Sequence, residues 1–262
     1  MNEFSLIAEY FSDCGHSQYA TELGIGDDAA IVSLSKDEQL VMTMDTLIEG
    51  VHFPVSTCAA DIALKSLAVN LSDLAAMGAE PAWFLLSLSL PEVDQTWLKA
   101  FADSLKQQAE LYAIRLIGGD TCKGALSITI QATGVIQQTA IRRSTAQLGD
   151  HIFVSGKLGA AALGLASVQN KLKLADDEAK DYIEALNRPT ARFDISRIVK
   201  LYAHSMIDLS DGLLADLGHI LNASHCGAEL YLDAIPMPFC VRNLAQFEYS
   251  LTGGDDYELC FT

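Results

Sequence analysis

Basic residues are scarce in this chain. Lys and Arg number 17 against 34 Asp and Glu, a formal net charge of −17 over 262 residues. So acidic a surface repels nucleic-acid phosphates and anionic lipid, which excludes both as main partners. No apolar run approaches the roughly 20 residues that a helix needs to span a bilayer. Met1–Phe11 carries acids and lacks the basic start and apolar stretch of a secretory leader. Cysteine is present but unpatterned. Cys14, Cys58, Cys122, Cys226, Cys240 and Cys260 form no Cys-x-x-Cys pair, which argues against a zinc site or a redox dithiol. The expectation from these absences is a cytoplasmic protein with dispersed, reduced thiols.

The usual phosphate-binding devices are also missing. Gly156-Lys157 is followed by Leu158 rather than Ser or Thr, so it is no P-loop. Gly24-x-Gly26 lacks the third glycine of a dinucleotide loop, because position 29 is Ala. A serine nucleophile elbow, a His-Glu-x-x-His helix and the protein-kinase motif set are absent as well.

What is present begins with apolar residues, 50% of the chain, enough for a sizeable core. Periodicity predicts helices over Phe4–Phe11, Ala59–Met77 and Asp94–Tyr112, the last with Asp94 as N-cap. Strands are predicted at Ala29–Leu34, Gln39–Asp45, Trp83–Leu90, Arg115–Ile117 and Leu126–Ile136. The polar connector Ile141–Gln147 ends at Gly149 and marks a domain boundary, giving domains 1–140 and 149–262. Beyond it, strands are expected at Ile152–Ser155, into Asp208, near Ala228–Leu232 and at Glu258–Thr262. Helices are expected after the Gly/Ala-rich turn that follows Ser155, and at Asp176–Asn187, Thr190–Ala203 and Leu213–Ala223. A chain that stops inside a strand leads to the expectation that the second domain is incomplete at its C-terminus.

The acids are more informative than the elements. They recur in Gly- or Ser-flanked turns next to predicted strands: Gly24-Ile25-Gly26-Asp27-Asp28, Thr43-Met44-Asp45-Thr46, Asn70-Leu71-Ser72-Asp73, Gly118-Gly119-Asp120-Thr121, Asp208-Leu209-Ser210-Asp211-Gly212 and Gly253-Gly254-Asp255-Asp256. Any one of these is an ordinary turn. Their recurrence beside predicted strands points to hard, oxygen-ligated cations. Two carboxylates ~4 Å apart repel by about 4 kcal/mol at an effective dielectric near 20, so a cluster must protonate or bind cations. Mg²⁺ is the expected ion, because it favours carboxylate, water and phosphate oxygens. Bound cations would let an acidic pocket attract phosphates. Other residues stay open on this reading. A lone His52 is an ordinary structural histidine, and His219 is expected to pack within an apolar helix. Cys122 is expected to be a small, buried or partly buried thiol. Arg142-Arg143-Ser144 is either an exposed linker or a clamp on nucleotide phosphates.

Taken in order, Gly-Ile-Gly-Asp-Asp-Ala-Ala, Asp-Thr-Leu-Ile-Glu-Gly-Val-His-Phe, Ala-Val-Asn-Leu-Ser-Asp-Leu-Ala-Ala-Met-Gly-Ala, Leu-Ile-Gly-Gly-Asp-Thr, Ile-Asp-Leu-Ser-Asp-Gly-Leu and Thr-Gly-Gly-Asp-Asp-Tyr-Glu-Leu closely resemble the thiamine-monophosphate kinase family. That family lies within the PurM-like, or AIR synthase-like, superfamily. The resemblance covers Phe4 to Thr262. It implies an α/β first domain with a mixed sheet, an α+β second domain, and a homodimer formed through first-domain sheets. The implied reaction moves the γ-phosphoryl group of ATP onto thiamine monophosphate.

By the same resemblance Asp28, Asp45, Asp73, Asp120 and Asp208 are Mg²⁺ ligands. Thr43 and the Met44 carbonyl complete one metal shell, and Asp211 is a further metal position. Gly119, Asp120, Arg143 and Ser210 contact the nucleotide phosphates. His52 contacts thiamine phosphate, and Asp255 takes a substrate position often held by Glu.

The acceptor is already an anionic phosphate oxygen, so no general base is needed and a direct in-line transfer is expected, with Mg²⁺ bridging the two phosphates. Other enzymes of the superfamily are the nearest alternatives. A selenophosphate synthetase wants a reactive cysteine in a glycine-rich early segment, which Cys14 lacks. A hydrogenase-maturation relative wants a terminal cysteine, and Cys260 is not terminal. A non-catalytic, nucleotide-binding regulator is the alternative of a different class.

Overall fold

A computed structural model describes residues 3–26, 29–137 and 139–262. In chain order the elements are α1 (Glu3–Tyr10), β1 (Thr21–Leu23), β2 (Ile31–Val32), β3 (Gln39–Ile48), α2 (Ala59–Ala76), β4 (Glu80–Leu90), α3 (Gln95–Leu111), β5 (Arg115–Lys123) and β6 (Ser127–Ile136). There follow β7 (Phe153–Val154), α4 (Ala160–Val168), α5 (Asp176–Asn187), α6 (Phe193–Val199), β8 (Met206–Asp208), α7 (Leu213–Ser224), α8 (Phe239–Leu244), α9 (Glu248–Leu251) and β9 (Leu259–Phe261). Two compact units result. One holds the residues through Leu74 together with Ala79–Thr139, and the other holds Ala75–Gly78 with Ala140–Thr262.

The first unit is built on a four-stranded sheet of order β3-β6-β4-β5, in which only β4 and β5 run parallel. A parallel pair needs a crossover, and α3 supplies it. Asp94 caps α3, its Oδ1 accepting from the Thr96 and Trp97 amides at 2.8 and 3.2 Å. Alternation along the strands sorts the two faces. Leu86 and Leu88 on β4 and Ile128 and Ile130 on β6 are buried, as are Leu67, Leu71 and Leu74 on α2 and Leu98, Phe101 and Leu105 on α3. The other face of β3 is open: Leu40, Met42, Met44 and Ile48 are all exposed, Met42 and Met44 by 63% and 65%.

The second unit carries a three-stranded sheet of order β7-β9-β8, antiparallel throughout. Its core gathers Leu158, Leu163, Ile207, Leu209, Leu213, Leu217, Ile220 and Val241.

Several expectations are corrected here. No strand forms at Ala228–Leu232; that segment is irregular and runs into a short 3-10 turn at Leu232–Ala234. Three of the acidic segments are not turns: Thr43-Met44-Asp45 lies within β3, Asn70-Leu71-Ser72-Asp73 within α2, and Gly118-Gly119-Asp120 in the middle of β5, paired with Leu85, Leu86 and Ser87. His219 is exposed on α7, between the buried Leu217 and Ile220, and Cys122 is exposed on β5. Among the described residues no helix is long and apolar enough to cross a membrane.

Candidate active site

In the first unit the site grows from β3 and α2. Odd-numbered residues of β3 face the helix. There the Thr43 hydroxyl donates to Asp73 Oδ2, and the Asp45 amide donates to Asn70 Oδ1 at 3.1 Å. Asn70 is fully buried, and its Nδ2 donates to the Ser66 carbonyl at 3.0 Å, which fixes the amide orientation. Thus α2 holds Asp73 against Thr43 and locks the backbone that carries Asp45. Burial, and after it the negative charge of Asp73, raises the Asp45 carboxyl above its ordinary range. Two half-buried carboxylates in mutual repulsion, with a hydroxyl beside them, form a hard oxygen donor set short of positive charge. That set suits Mg²⁺, which takes one or two carboxylates and completes its shell with water and phosphate oxygens. Among the described residues no group of three or more His, Cys, Asp or Glu converges as a metal cage. Asp28 lies outside the described residues.

His52 sits in the turn after β3, with its Nδ1 accepting the Ile48 amide at 3.0 Å. The Met44 side chain points to the open face, away from Asp45. Asp120 is also on that open face. The register runs Thr46–Thr129–Ser87–Asp120 across the sheet, and adjacent Thr46 lies on the side opposite Asp45. β3 and β5 are the two edges, so Asp120 stands about 14 Å from β3, three spacings of roughly 4.8 Å. Within one chain the structure therefore does not bring Asp120 together with Asp45 and Asp73. Gly119, next to it, packs its backbone against the Leu86 carbonyl where a Cβ would collide.

In the second unit two acidic turns are stitched together by backbone bonds. The Leu209 amide donates to Glu258 O at 2.7 Å, Tyr257 N to Leu209 O at 2.8 Å, and Asp255 N to Ser210 O at 2.9 Å. Asp208 is buried at the end of β8, and Asp211 is exposed. Asp216, which sequence reasoning missed, accepts the amides of Asp211 and Gly212 at 3.0 and 3.1 Å and holds the Asp208–Gly212 turn from inside α7. Glu258 and Arg192 were missed as well. Arg192 Nη1 donates to both Glu258 oxygens at 3.1 and 3.0 Å, just before β9. Asp255, at φ +69°, accepts from the Tyr257 hydroxyl at 3.2 Å and lines a cavity of about 330 Å³ between α4 and α9. Arg143 is exposed, in a 3-10 turn whose carbonyl accepts from Ser224 Oγ at 2.8 Å.

Asp256 bridges this turn to the N-terminus of α4, accepting from the Gly159 and Ala161 amides at 2.6 and 3.4 Å. Burial outweighs those bonds and pushes its carboxyl up to about 7. A folded-state value above the unfolded one means that the native protein binds the extra proton. The contribution is complete below about pH 4 and is lost as pH rises through about 7, at most about 4 kcal/mol. Asp256→Asn should therefore melt higher than the parent protein at about pH 8, and the gap should shrink steadily below about pH 7 and close by about pH 4 in paired thermal melts.

Both units are those of an AIR synthase related protein. The family described as AIR synthase related protein, N-terminal domain, matches residues 26–136, and the corresponding C-terminal domain family matches residues 147–260. The thiamine-monophosphate kinase of Escherichia coli (strain K12) is 47% identical over 266 residues, covering 99% of this chain and 82% of the relative. The crystal structure of thiamine-monophosphate kinase from Stenotrophomonas maltophilia K279a superimposes with a TM-score of 0.85 at 46% identity, over 98% of this chain and 82% of that one. AaThiL complexed with AMPPCP and TMP gives a TM-score of 0.81 at 33% identity, over 90% of this chain and 79% of that one. The chain belongs to the thiamine-monophosphate kinase family.

Proposed function

We propose that this protein transfers the γ-phosphoryl group of ATP directly to thiamine monophosphate, giving thiamine diphosphate and ADP, with Mg²⁺ as the metal. The observation that carries the reading is the Thr43–Asp45–Asp73 donor set, held rigid by Asn70, in a chain 33% identical to a protein whose structure is complexed with AMPPCP and TMP. Asp45 and Asp73 would hold the cation, with Thr43 beside them; Asp28, Asp208 and Asp211 are proposed as further ligands, as is the Met44 carbonyl. Bound Mg²⁺ would supply charge neutralisation on the transferring phosphoryl group. Arg143, Gly119 and Ser210 are assigned to the nucleotide phosphates, His52 to the acceptor phosphate and Asp255 to the thiamine. No side chain is asked to act as base or nucleophile. The acceptor oxygen is already anionic, and alignment is what the residues contribute.

The active form in this proposal is a cytoplasmic homodimer. The open apolar face of β3 and the two sheet edges, β3 and β5, which have no outer partner strand among the described residues, support it, because closing a sheet against a second copy removes exposed edges. Such closure would bring Asp120 of the partner subunit to the β3 edge that carries Asp45.

An assay with ATP, Mg²⁺ and thiamine monophosphate tests the reading. Thiamine diphosphate and ADP should form in equal amounts. Nucleotide binding without thiamine diphosphate would instead favour a non-catalytic regulator.

A further inference from the structure

We infer that Lys65 is a positioning residue that fixes His52 as an Nε2–H donor toward the acceptor phosphate; the inference rests on the proposed contact between His52 and that phosphate. Lys65 lies on α2 and is 2% exposed, among the most deeply buried large side chains of the protein. An ammonium at that depth is costly to desolvate and persists only where it has hydrogen-bonding work. Its Nζ donates to the main-chain carbonyl of His52 at 3.3 Å.

The turn above it is tightly specified. The His52 amide donates to Ile48 O at 2.9 Å, and the Gly50 amide donates to Phe53 O at 2.8 Å. Gly50 has φ +75°, the left-handed region that glycine enters freely, and Phe53 is anchored at 3% exposure. The Ile48 amide then donates to His52 Nδ1 at 3.0 Å. So the amide, the carbonyl and one ring nitrogen of His52 are all engaged.

A ring nitrogen that accepts an N–H carries no proton of its own. The imidazole is therefore in its Nε2–H tautomer. Because the residue is exposed and Nδ1 is turned to the backbone, Nε2–H is the polar group left to meet a ligand. A phosphate oxygen only accepts, so a ring that presents a donor, at a position set by Lys65 from below, is matched to it. Lys65 touches the turn and not the ligand, and its effect passes through His52.

The test combines ring-nitrogen NMR with kinetics on the full chain. Wild-type protein with ¹⁵N-labelled histidine, its His52 resonances assigned by their loss in His52→Gln, should show the Nε2–H tautomer. Lys65→Met should average that signature and raise KM for thiamine monophosphate about tenfold, leaving KM for ATP within about twofold, since a small misplacement of a positioning group suffices for such a loss. Lys65→Arg should recover part of the effect. His52→Gln, whose amide reaches toward the Nε2 position, should stay within about threefold of wild type, while His52→Asn and His52→Ala lose about tenfold or more. An Nδ1–H signature in the wild type overturns the inference. So does a Lys65→Met protein with wild-type melting, signature and KM. If His52→Ala leaves KM for thiamine monophosphate unchanged while the wild type keeps its Nε2–H signature, the acceptor contact is overturned and not the tautomer.

Discussion

Asp73→Asn should lower turnover by about 10²–10³-fold, the loss typical when one element of a preorganised charge-stabilising site is removed. The asparagine keeps the shape, and its amide oxygen can still accept the Thr43 hydroxyl, so α2 and β3 should remain docked and the melting temperature should change little. What is lost is a negative charge at a point where Asp45 is already pressed upward by burial and by Asp73 itself. Removing that charge should let the Asp45 carboxyl ionise more readily while weakening the cation site, so the Mg²⁺ concentration for half-maximal rate should rise in the same variant. Steady-state rates across a Mg²⁺ titration check both effects. A variant with near-normal turnover at limiting Mg²⁺ would remove Asp73 from the cation site.

The second large effect is a restoration. Asp45→Asn and Asp120→Asn proteins should each be nearly inactive as homodimers. If each site draws Asp45 from one copy and Asp120 from the other, mixing the two variants creates heterodimers with one fully mutated site and one intact site. Random reassortment makes half of the dimers mixed, so activity should return to about a quarter of wild type. Co-expression with two affinity tags, followed by isolation of the mixed dimer, makes the measurement direct; the isolated species should reach about half. If the mixture stays inactive while the subunits demonstrably exchange, Asp120 does not serve its partner's site. The geometry behind this expectation is intrachain: Asp120 shares a face with Thr46, and neighbouring Asp45 projects to the other side.

Much of the framework could be read from local chemistry. Serine–leucine alternation marked β4, and the structure buries Leu86 and Leu88 while exposing Ser87. Asp94 was legible as a cap because a short acid before a helical pattern has amides to satisfy, and it bonds two of them. The acidic segments were legible as candidates, but their sidedness was not. Glycines at 118 and 119 suggested a turn, yet pairing with β4 keeps that stretch extended; Gly119 lets its backbone approach that of Leu86, and Gly118 leaves room for the Leu85 side chain. A one-residue offset between Asp45 and Thr46 decides which face an acid occupies, and only the sheet register reveals where Asp120 falls. His219 was misjudged because its sequence neighbours are apolar, while the 3.6-residue period carries it to solvent. Lys65, Asp216 and Asp256 act through main-chain groups remote in sequence or fixed by a turn, and composition offers no sign of that. For Asp216 a carboxylate four residues into a helix that follows a glycine was the one available hint.

The ordering of the second unit's sheet has a consequence for the time course of folding. β9 is the latest of its three strands to be synthesised, yet it occupies the middle position, pairing with β7 more than a hundred residues upstream and with β8 some fifty upstream. Among the described residues both outer strands pair only with residues 259–261, so the Asp208–Gly212 turn waits some fifty residues of synthesis for the backbone ties to Tyr257 and Glu258 that later hold it. The four strands of the first unit's main sheet are all made by Ile136 and can pair while the rest is still being synthesised. Loop closures of that length are entropically late events. The half of the chain that carries Asp208, Ser210, Asp211 and Asp255 is therefore the slower to become ordered, and during that interval it is the half exposed to proteases and to aggregation.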